Sequence, residues 1–225
     1  MTDLPARFPL GRTARLAVFA SGRGSNLAAL MAAFPPVPEP AKGDAIAAAV
    51  GTATEASVAL VVCDRAEAGA LALARAGGVP AVHLPFGRDR ASFEAAAQRE
   101  LERYGIDLVA LAGFMRILSP GFAAAWRGRL LNIHPSLLPD FPGLHAVRQA
   151  LVAGVDRSGC TVHFVDAGVD TGPVIERRDV PVLGDDDEAT LQARIQAVEH
   201  VAYPAAVRAV LRGEAAIPGL TEAPR

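Results

Sequence analysis

From Arg15 to His134 the sequence alternates between short apolar runs and Ala- or Leu-rich segments of helical character. Five apolar runs have the length and composition of buried parallel strands, and they span 15–21, 58–64, 81–85, 108–112 and 129–134. Helical segments follow at 27–34, 67–76 and 90–104, and another helix is expected to open at Ser119-Pro120. This alternation predicts an α/β fold, with an open, mostly parallel twisted sheet and flanking helices.

The pattern changes after His134. Runs at 161–165 and 174–182 predict two strands joined by a turn, which would form a C-terminal hairpin extension of the sheet. The segment 188–212 predicts a long terminal helix, with a kink expected at Pro204.

The expected domain organisation is simple, because one domain can bury a sizeable core at this length. We expect it to span 15–213, with an N-terminal extension at 1–14 and a C-terminal tail at 214–225. A Pro/Ala-rich insert at 35–57 interrupts the alternation and is expected to be mostly exposed loop.

Charge and cysteine content narrow the function classes. The net charge of −2 gives no basic face for nucleic acid. Cys63 and Cys160 are far apart in apolar surroundings, so we expect buried thiols, with no disulfide and no metal pair. That is typical of a reducing compartment, and no apolar run reaches the ~18 residues that a membrane span requires. We therefore expect a cytoplasmic protein with no membrane partner.

A glycine-rich turn, residues 21–26, joins the first strand to the first helix. Glycine lets the backbone approach a ligand closely, and free amides at a helix start attract anions. The turn lacks the third glycine of a dinucleotide motif and the Lys-Ser/Thr pair of a P-loop. It predicts either an ordinary βα turn or a phosphate site made by Gly24, Ser25 and Asn26, with Ser25 as the helix N-cap.

Asn132 and His134 lie two residues apart on the fifth strand, so their side chains project from the same face. A carboxamide beside an imidazole, at the carboxyl end of a buried strand, can bind a carbonyl oxygen that becomes an oxyanion. Pro135 ends the strand. The glycine turn, Met115-Arg116 and His134 all follow the carboxyl ends of strands, where open α/β sheets bind ligands.

The segment Asp166–Asp170 precedes Thr-Gly-Pro and lies between the two hairpin strands. Such a loop is either a polar hairpin turn or a device that aims a carboxylate inward, where it would favour the charged form of His134. The other histidines are interpreted differently. His145 is expected to line the pocket without doing chemistry, and structural roles are expected for His83, His163 and His200.

Three long motifs resemble the folate-dependent phosphoribosylglycinamide formyltransferase family, also called glycinamide ribonucleotide transformylases. They are Leu-Ala-Gly-Phe-Met-Arg-Ile-Leu-Ser at 111–119, Leu-Asn-Ile-His-Pro-Ser-Leu-Leu-Pro at 131–139 with Pro-Gly-Leu-His at 142–145, and Asp-Ala-Gly-Val-Asp-Thr-Gly-Pro at 166–173. The resemblance runs from about residue 15 to about residue 213. It implies the formyltransferase fold and transfer of formyl from 10-formyltetrahydrofolate to the amine of glycinamide ribonucleotide, in purine biosynthesis.

The resemblance also implies site residues, carried over position by position. Asn132, His134 and Asp170 match the catalytic trio. Substrate-binding positions match Gly24, Ser25, Asn26, Pro135 and Glu199. Folate-binding positions match Arg90, Met115, Arg116, Ile117, Leu118, Asn132, Asp166, Ala167, Gly168, Val169 and Asp170. No metal is implied, the folate is a formyl-donating co-substrate, the partners are small molecules, and the chain is expected as a monomer or homodimer.

Other readings of the same residues remain open. Formyltransferases acting on methionyl-tRNA or amino sugars, and formyltetrahydrofolate hydrolases, also use an Asn-x-His…Asp arrangement. The tRNA enzymes resemble this chain in the core but tend to carry Arg-Gly-Ala after Ser-Leu-Leu-Pro and a basic C-terminal domain, for which no room is expected here. A nucleotide-binding module without catalysis would explain the glycine turn, but it would leave the Asn132, His134 and Asp170 spacing unexplained.

Overall fold

The computed structural model describes residues 8–36, 55–87 and 89–217. Those residues form seven strands and six helices, which alternate as far as β6, and β7 then follows β6 directly. The elements are β1 (Ala14–Ala20), α1 (Ser25–Ala33), β2 (Ala56–Cys63), α2 (Gly69–Ala76), β3 (Ala81–His83), α3 (Arg90–Arg103), β4 (Leu108–Leu111), α4 (Pro120–Ala125), β5 (Leu130–His134), α5 (Ala146–Ala153), β6 (Arg157–Phe164), β7 (Val174–Pro181) and α6 (Glu188–Leu211).

All seven strands belong to one sheet, in the order β3-β2-β1-β4-β5-β6-β7. The first five are parallel to their neighbours, whereas β6 and β7 are antiparallel additions at one side. The predicted parallel α/β sheet and its hairpin extension are confirmed. Because β1 has β2 on one side and β4 on the other, the strand order reverses there, and a crevice opens beyond the carboxyl ends of β1 and β4.

The core lies on both faces of the sheet, which explains why the strands are continuous apolar runs. Side chains of β1 alternate between the two layers. Leu16 and Val18 pack with residues of α1, α2, α5 and α6, whereas Ala17 and Phe19 pack with residues of α3 and α4. Two apolar layers therefore hold the sheet rigid, and the carboxyl ends of its strands become a fixed platform for the site.

Several boundaries differ from the sequence predictions. Ser25 is the first residue of α1, and the N-cap is Gly24 in the left-handed region at φ 90°, with no side-chain cap. The predicted N-cap was therefore wrong, because the backbone conformation of this turn suits glycine. β2 begins at Ala56, inside the predicted loop at 35–57. Residues 37–54 of that insert, 1–7 of the extension and 218–225 of the tail lie outside the described residues.

The two helices nearest the C-terminus differ in how far the sequence predicted them. α5 was not predicted, because its N-cap is His145 at φ 62°, which gives no Ser, Thr or Asp start signal. Pro204 lies inside α6, which continues as one helix from Glu188 to Leu211, and the kink expected there stays a prediction. The neighbouring Tyr203 is fully buried, and its hydroxyl lies 2.9 Å from the Leu111 carbonyl oxygen. Packing on the sheet thus stabilises α6 around the hydrogen bond that proline cannot make.

Among the residues that the structure describes, no helix is both long enough and apolar enough to span a membrane.

Candidate active site

The turn between β1 and α1 presents free backbone amides at the crevice. The first helical hydrogen bond of α1 runs from the Ala28 amide to the Gly24 carbonyl, so the amides of Ser25, Asn26 and Leu27 have no partner within the helix. A Cβ at Gly24 would lie 3.1 Å from the Cα of Ala70 at the start of α2. The turn is therefore packed closely against α2, and its amides are placed as a helix start places them for binding an anion.

Asn26 ties this turn to the terminal helix. Its Nδ2 donates a 2.8 Å hydrogen bond to Oε2 of Glu199, and both side chains are buried. The Asn26 Oδ1 is also buried, and it has no hydrogen-bond partner among the described residues. Burial raises the pKa of Glu199, and the hydrogen bond from Asn26 opposes that rise. Glu199, identified by resemblance, therefore lies beside the predicted phosphate turn, with one polar atom at this point left for a ligand.

The carboxyl end of β5 places Asn132 and His134 on the same face, as the two-residue spacing predicted. His134 is buried, and its Nε2 lies 2.8 Å from the Phe141 carbonyl oxygen. Pro135 follows directly and is half-buried. Phe141 has φ 54°, a left-handed conformation that is strained for a bulky residue. The loop after β5 thus closes over the imidazole from above.

Asp170 lies between these two side chains. Its Oδ1 accepts from Asn132 Nδ2 at 3.3 Å, and its Oδ2 lies 3.3 Å from His134 Nδ1. The Gly143 amide also donates to Oδ2, at 2.8 Å. Asp170 has φ 55°, so the loop between β6 and β7 holds its backbone in the left-handed region. The structure therefore brings together the three residues that the sequence singled out, although they come from a strand and a distant loop.

His163 is a fourth member of this cluster, where the sequence analysis expected a structural side chain. Its Nε2 lies 3.1 Å from Asn132 Nδ2 and 3.5 Å from Asp170 Oδ1, while Nδ1 lies 2.9 Å from the Phe164 carbonyl oxygen. The signal that could have found it is periodicity, since His163 is buried in the apolar run of β6. A polar residue in such a strand requires a partner.

The charges in the cluster support one another. Burial tends to raise the pKa of Asp170, but hydrogen bonds from His163 and the Gly143 amide, together with the charges of His134 and His163, outweigh it and lower that pKa. An ionised Asp170 faces His134 Nδ1, and a carbonyl oxygen faces its Nε2. Both ring nitrogens of His134 therefore have an oxygen acceptor within 3.3 Å.

A second loop, residues 113–119 after β4, forms the other wall of the crevice. Its Met115 and Ile117 side chains are 57% and 63% exposed, whereas Leu118 is buried in the core. The Met115 amide donates to Ser21 Oγ at 2.9 Å, and the Ser119 amide donates to Glu94 at 2.6 Å. The predicted folate contacts in this loop therefore differ in the groups that they can present to a ligand. Met115 and Ile117 offer side chains to a ligand, and Leu118 can offer only its backbone.

The remaining predicted residues lie at the edges of this crevice. Arg90 begins α3, and its Nε lies 4.0 Å from Glu94, the residue that binds Ser119. Asp166 accepts from the Gly168 amide at 3.0 Å and from Thr171 Oγ1 at 2.8 Å, which shapes the loop between β6 and β7. The exposed stretch from Asp166 to Val169, which includes Ala167, leads into Asp170. Among the described residues, neither Arg90 nor the stretch 166–169 makes a hydrogen bond or ion pair with Asn132 or His134.

The described residues contain no cluster of His, Cys, Asp or Glu that could hold a metal ion. The two thiols are buried, and burial raises the pKa of Cys63 to about 11 and that of Cys160 to about 12. A groove of about 330 Å³ lies at the amino end of β1, lined by residues 8–14 and the end of α6. It is at the opposite end of β1 from the glycine turn, so it is not part of this site.

The fold and the site define a class of protein. The chain matches the family described as formyl transferase over residues 14–207, and it belongs to that family. It is 38% identical to a phosphoribosylglycinamide formyltransferase of Bacillus subtilis over 208 residues, which cover 90% of this chain and 99% of that protein.

Two further relatives extend the comparison. The chain is 46% identical over 211 residues to a trifunctional purine biosynthetic protein of Drosophila melanogaster, covering 92% of this chain but only 14% of that protein's length. The crystal structure of glycinamide ribonucleotide transformylase 1 from Symbiobacterium toebii superposes with a TM-score of 0.81 at 43% identity. That match covers 93% of this chain and 92% of the other.

Proposed function

We propose that this chain transfers the formyl group of 10-formyltetrahydrofolate to the amine of glycinamide ribonucleotide, as a step of purine biosynthesis. The observation that carries the proposal is the contact of Asp170 with both Asn132 and His134 at the carboxyl edge of the sheet. The cluster lies at the end of β5, next to β4, which leads to the exposed apolar loop, and β1, which leads to the glycine turn, is the next strand. The names of full-length relatives such as the Bacillus subtilis protein support the choice of reaction.

The two substrates have separate places in this arrangement. The ribonucleotide phosphate would lie on the turn formed by Gly24, Ser25 and Asn26, with its ribose near Glu199. The pterin would lie along the wall formed by residues 113–118, where Met115 and Ile117 are exposed, with the loop at 166–170 opposite. The amine and the formyl carbon would then meet beside Asn132 and His134, so that binding supplies much of the orientation.

The proposed chemistry is acyl transfer without an enzyme-bound acyl group. The substrate amine attacks the formyl carbon, and the carbonyl oxygen becomes an oxyanion. Asn132 carries two N–H groups on Nδ2, and Asp170 Oδ1 and His163 Nε2 both lie within reach of them, so the formyl oxygen would replace one of these two partners. The imidazolium of His134 would be the second donor. Asp170 stabilises that charge and assists a water that carries a proton from the amine to the departing folate nitrogen.

One contact must change for His134 to act in this way. Its Nε2 now lies 2.8 Å from the Phe141 carbonyl oxygen, so the formyl oxygen would have to replace that carbonyl. The left-handed Phe141 backbone and the Ser136 hydroxyl, which lies 2.5 Å from the Asp140 carbonyl oxygen, hold the loop in its present shape. We propose that substrate binding releases Phe141 from His134, because a charged oxyanion is a stronger acceptor than a backbone carbonyl.

The nearest alternative is hydrolysis, in which water replaces the amine. A hydrolase would not need a phosphate site, whereas the turn before α1 presents backbone amides that make no hydrogen bond within the helix. This feature favours a phosphorylated amine as the acceptor.

An absorbance assay of 10-formyltetrahydrofolate consumption tests the proposal directly. We expect turnover with glycinamide ribonucleotide, and none above the uncatalysed rate with methionyl-tRNA or with no amine added. Turnover without any amine would identify a hydrolase, and turnover with methionyl-tRNA alone would identify a different acceptor. Asp186→Ala serves as the matched protein control, because Asp186 pairs with Arg194 at the start of α6 and not with any residue of the site.

A further inference from the structure

A buried carboxylate lies behind the exposed apolar loop. Asp64 follows β2 directly, and its side chain is 0% exposed. Its Oδ2 accepts a 2.6 Å hydrogen bond from Nε of Arg116. Its Oδ1 is also buried and has no hydrogen-bond partner in the described part of the chain. Arg116 therefore provides the charge compensation that a buried carboxylate requires.

Arg116 reaches Asp64 across the carboxyl end of β1. Arg116 belongs to the loop after β4, and β2 and β4 are the two neighbours of β1. The guanidinium carbon also lies 5.1 Å from the ring centroid of Phe86, so an aromatic face supports the cation. The side chain of Arg116 is thus fixed by one ion pair and one aromatic contact. Its neighbours in the chain are the exposed Met115 and Ile117.

We propose that Asp64 is a positioning residue for the folate-binding loop, here residues 113–118. Its carboxylate fixes Arg116 and thereby sets the direction in which Met115 and Ile117 face the crevice. The inference rests on the proposed function, because it assigns this loop to the formyl donor. Asp64 itself touches neither substrate, and it acts through Arg116.

The geometry makes the constraint strong. Breaking a buried ion pair by removing one partner leaves an uncompensated charge, which is strongly unfavourable. The loop therefore cannot lift away from the sheet without separating Arg116 from Asp64. The loop is also held at Met115 by Ser21, and the residue that follows it, Ser119, is held by Glu94. Asp64 holds Arg116, which lies between these two points.

The substitution Asp64→Ala removes the anchor but leaves Ser21, Glu94 and the reacting residues in place. We expect the KM for 10-formyltetrahydrofolate to rise by at least about 10-fold, since hydrogen bonds between charged groups are of that order. The KM for glycinamide ribonucleotide should change by less than about 2-fold, because the phosphate turn does not contact Asp64 or Arg116. Asp64→Asn keeps an oxygen acceptor for Arg116 without the charge, and it should show an intermediate rise.

The matched control is Asp186→Ala. Asp186 is also a buried carboxylate, with a side chain 2% exposed, and it pairs with Arg194 at 2.5 Å. This variant removes a comparable ion pair from the far side of the protein, so it should leave the KM values of both substrates unchanged.

A second measurement does not depend on turnover. Hydrogen exchange followed by mass spectrometry reports the Met115 amide, which is bonded to Ser21 Oγ. In the ligand-free protein we expect exchange over residues 113–118 to be at least about 10-fold faster in Asp64→Ala than in wild type, and unchanged in Asp186→Ala. Calorimetric titration with tetrahydrofolate should show the matching loss of affinity.

The outcomes separate the two proposals. A wild-type protein that binds tetrahydrofolate but forms no product with glycinamide ribonucleotide contradicts the proposed function, while exchange and binding still test Asp64. Unchanged exchange and unchanged folate affinity in both Asp64 variants overturn the inference. An equal rise in the KM of both substrates also overturns it, because that result indicates general destabilisation. If Asp64→Ala does not fold, Asp64→Asn decides by the same readouts.

Discussion

Asn132 and His163 are directly paired across the antiparallel ladder of β5 and β6, and their side-chain nitrogens lie 3.1 Å apart. The pairing puts an imidazole behind the carboxamide that the proposed mechanism uses as an oxyanion donor. His163 also lies 3.5 Å from Asp170 Oδ1. Through this register β6 adds a residue to the cluster that β5 and the loop between β6 and β7 form.

Replacing His163 should change the pH dependence of catalysis. The hydrogen bond from His163 is the largest influence that lowers the pKa of Asp170, so His163→Phe should raise that pKa. With ionised Asp170 as the active form, the acidic limb of the kcat profile moves to higher pH in the variant. The lost hydrogen bond should in addition lower kcat on the neutral plateau by about 10-fold. A kcat profile that extends down to about pH 3 measures this, because the lowered pKa of Asp170 lies below the ordinary value of 3.8. An acidic limb at the wild-type position would remove His163 from the mechanism.

The proposed catalytic trio makes a stronger prediction. His134→Ala and Asp170→Asn should each lower kcat by at least ~100-fold, the scale of a lost oxyanion donor. Asparagine is the suitable replacement at position 170, because it tolerates the left-handed backbone at φ 55° and removes only the charge. His83→Ala, at an exposed histidine on β3, is the control and should retain wild-type kcat. Near wild-type turnover in a folded His134 or Asp170 variant would refute the assignment.

The glycine turn offers a matched pair of substitutions. Gly24 has φ 90°, and a Cβ there would lie 3.1 Å from the backbone of Ala70, whereas a Cβ at Gly22 meets nothing within 4 Å. Gly24→Ala should therefore lower the free energy of unfolding by at least ~1 kcal/mol and weaken binding of glycinamide ribonucleotide, and Gly22→Ala should leave stability within ~0.5 kcal/mol. Urea denaturation and calorimetric titration measure both. Equal effects at the two glycines would argue against a shaped phosphate turn.

The free energy of unfolding should depend on pH through the titration of Glu199. Burial raises its pKa in the folded state above the ordinary value of 4.5, so the native protein binds this proton more tightly than the unfolded chain. Its contribution to stability therefore falls as pH rises from 4.5 through the folded pKa, and it is constant above. Glu199→Gln does not titrate, so its stability relative to wild type should increase across that window. Urea denaturation of both proteins from pH 4.5 to 8 measures the difference, and a difference independent of pH would contradict the prediction.

The parallel part of the fold could be predicted from the sequence because both faces of the sheet are covered. The stretches 58–63 and 108–112 are apolar throughout, which is the pattern of a strand buried on two sides. The spacing of Asn132 and His134 fixed their common face. The insert at 35–57 could be judged only as a break in the alternation, and the start of β2 at Ala56 was missed because Ala and Ser carry a weak strand signal.

The partners of the site residues could not be predicted in the same way, because hydrophobic periodicity does not give register or strand order. His163 meets Asn132 only because β6 pairs with β5 in one register. Arg116 meets Asp64 only because β2 and β4 flank the same strand. The position of Asp170 came from resemblance of its motif, since its left-handed backbone has no signature in composition. Contacts between distant segments depend on tertiary packing.

Formyl transfer to the ribonucleotide can be tested by following the formyl carbon itself. Wild-type protein is incubated with 10-formyltetrahydrofolate labelled with ¹³C in the formyl group and with glycinamide ribonucleotide, and the products are observed by ¹³C NMR. We expect the label to appear as a formamide on the ribonucleotide, in equal amount to the tetrahydrofolate produced, and we expect Asp170→Asn to abolish this signal over the same time. Label that appears as free formate, at the same rate with and without the ribonucleotide, would contradict formyl transfer to the ribonucleotide.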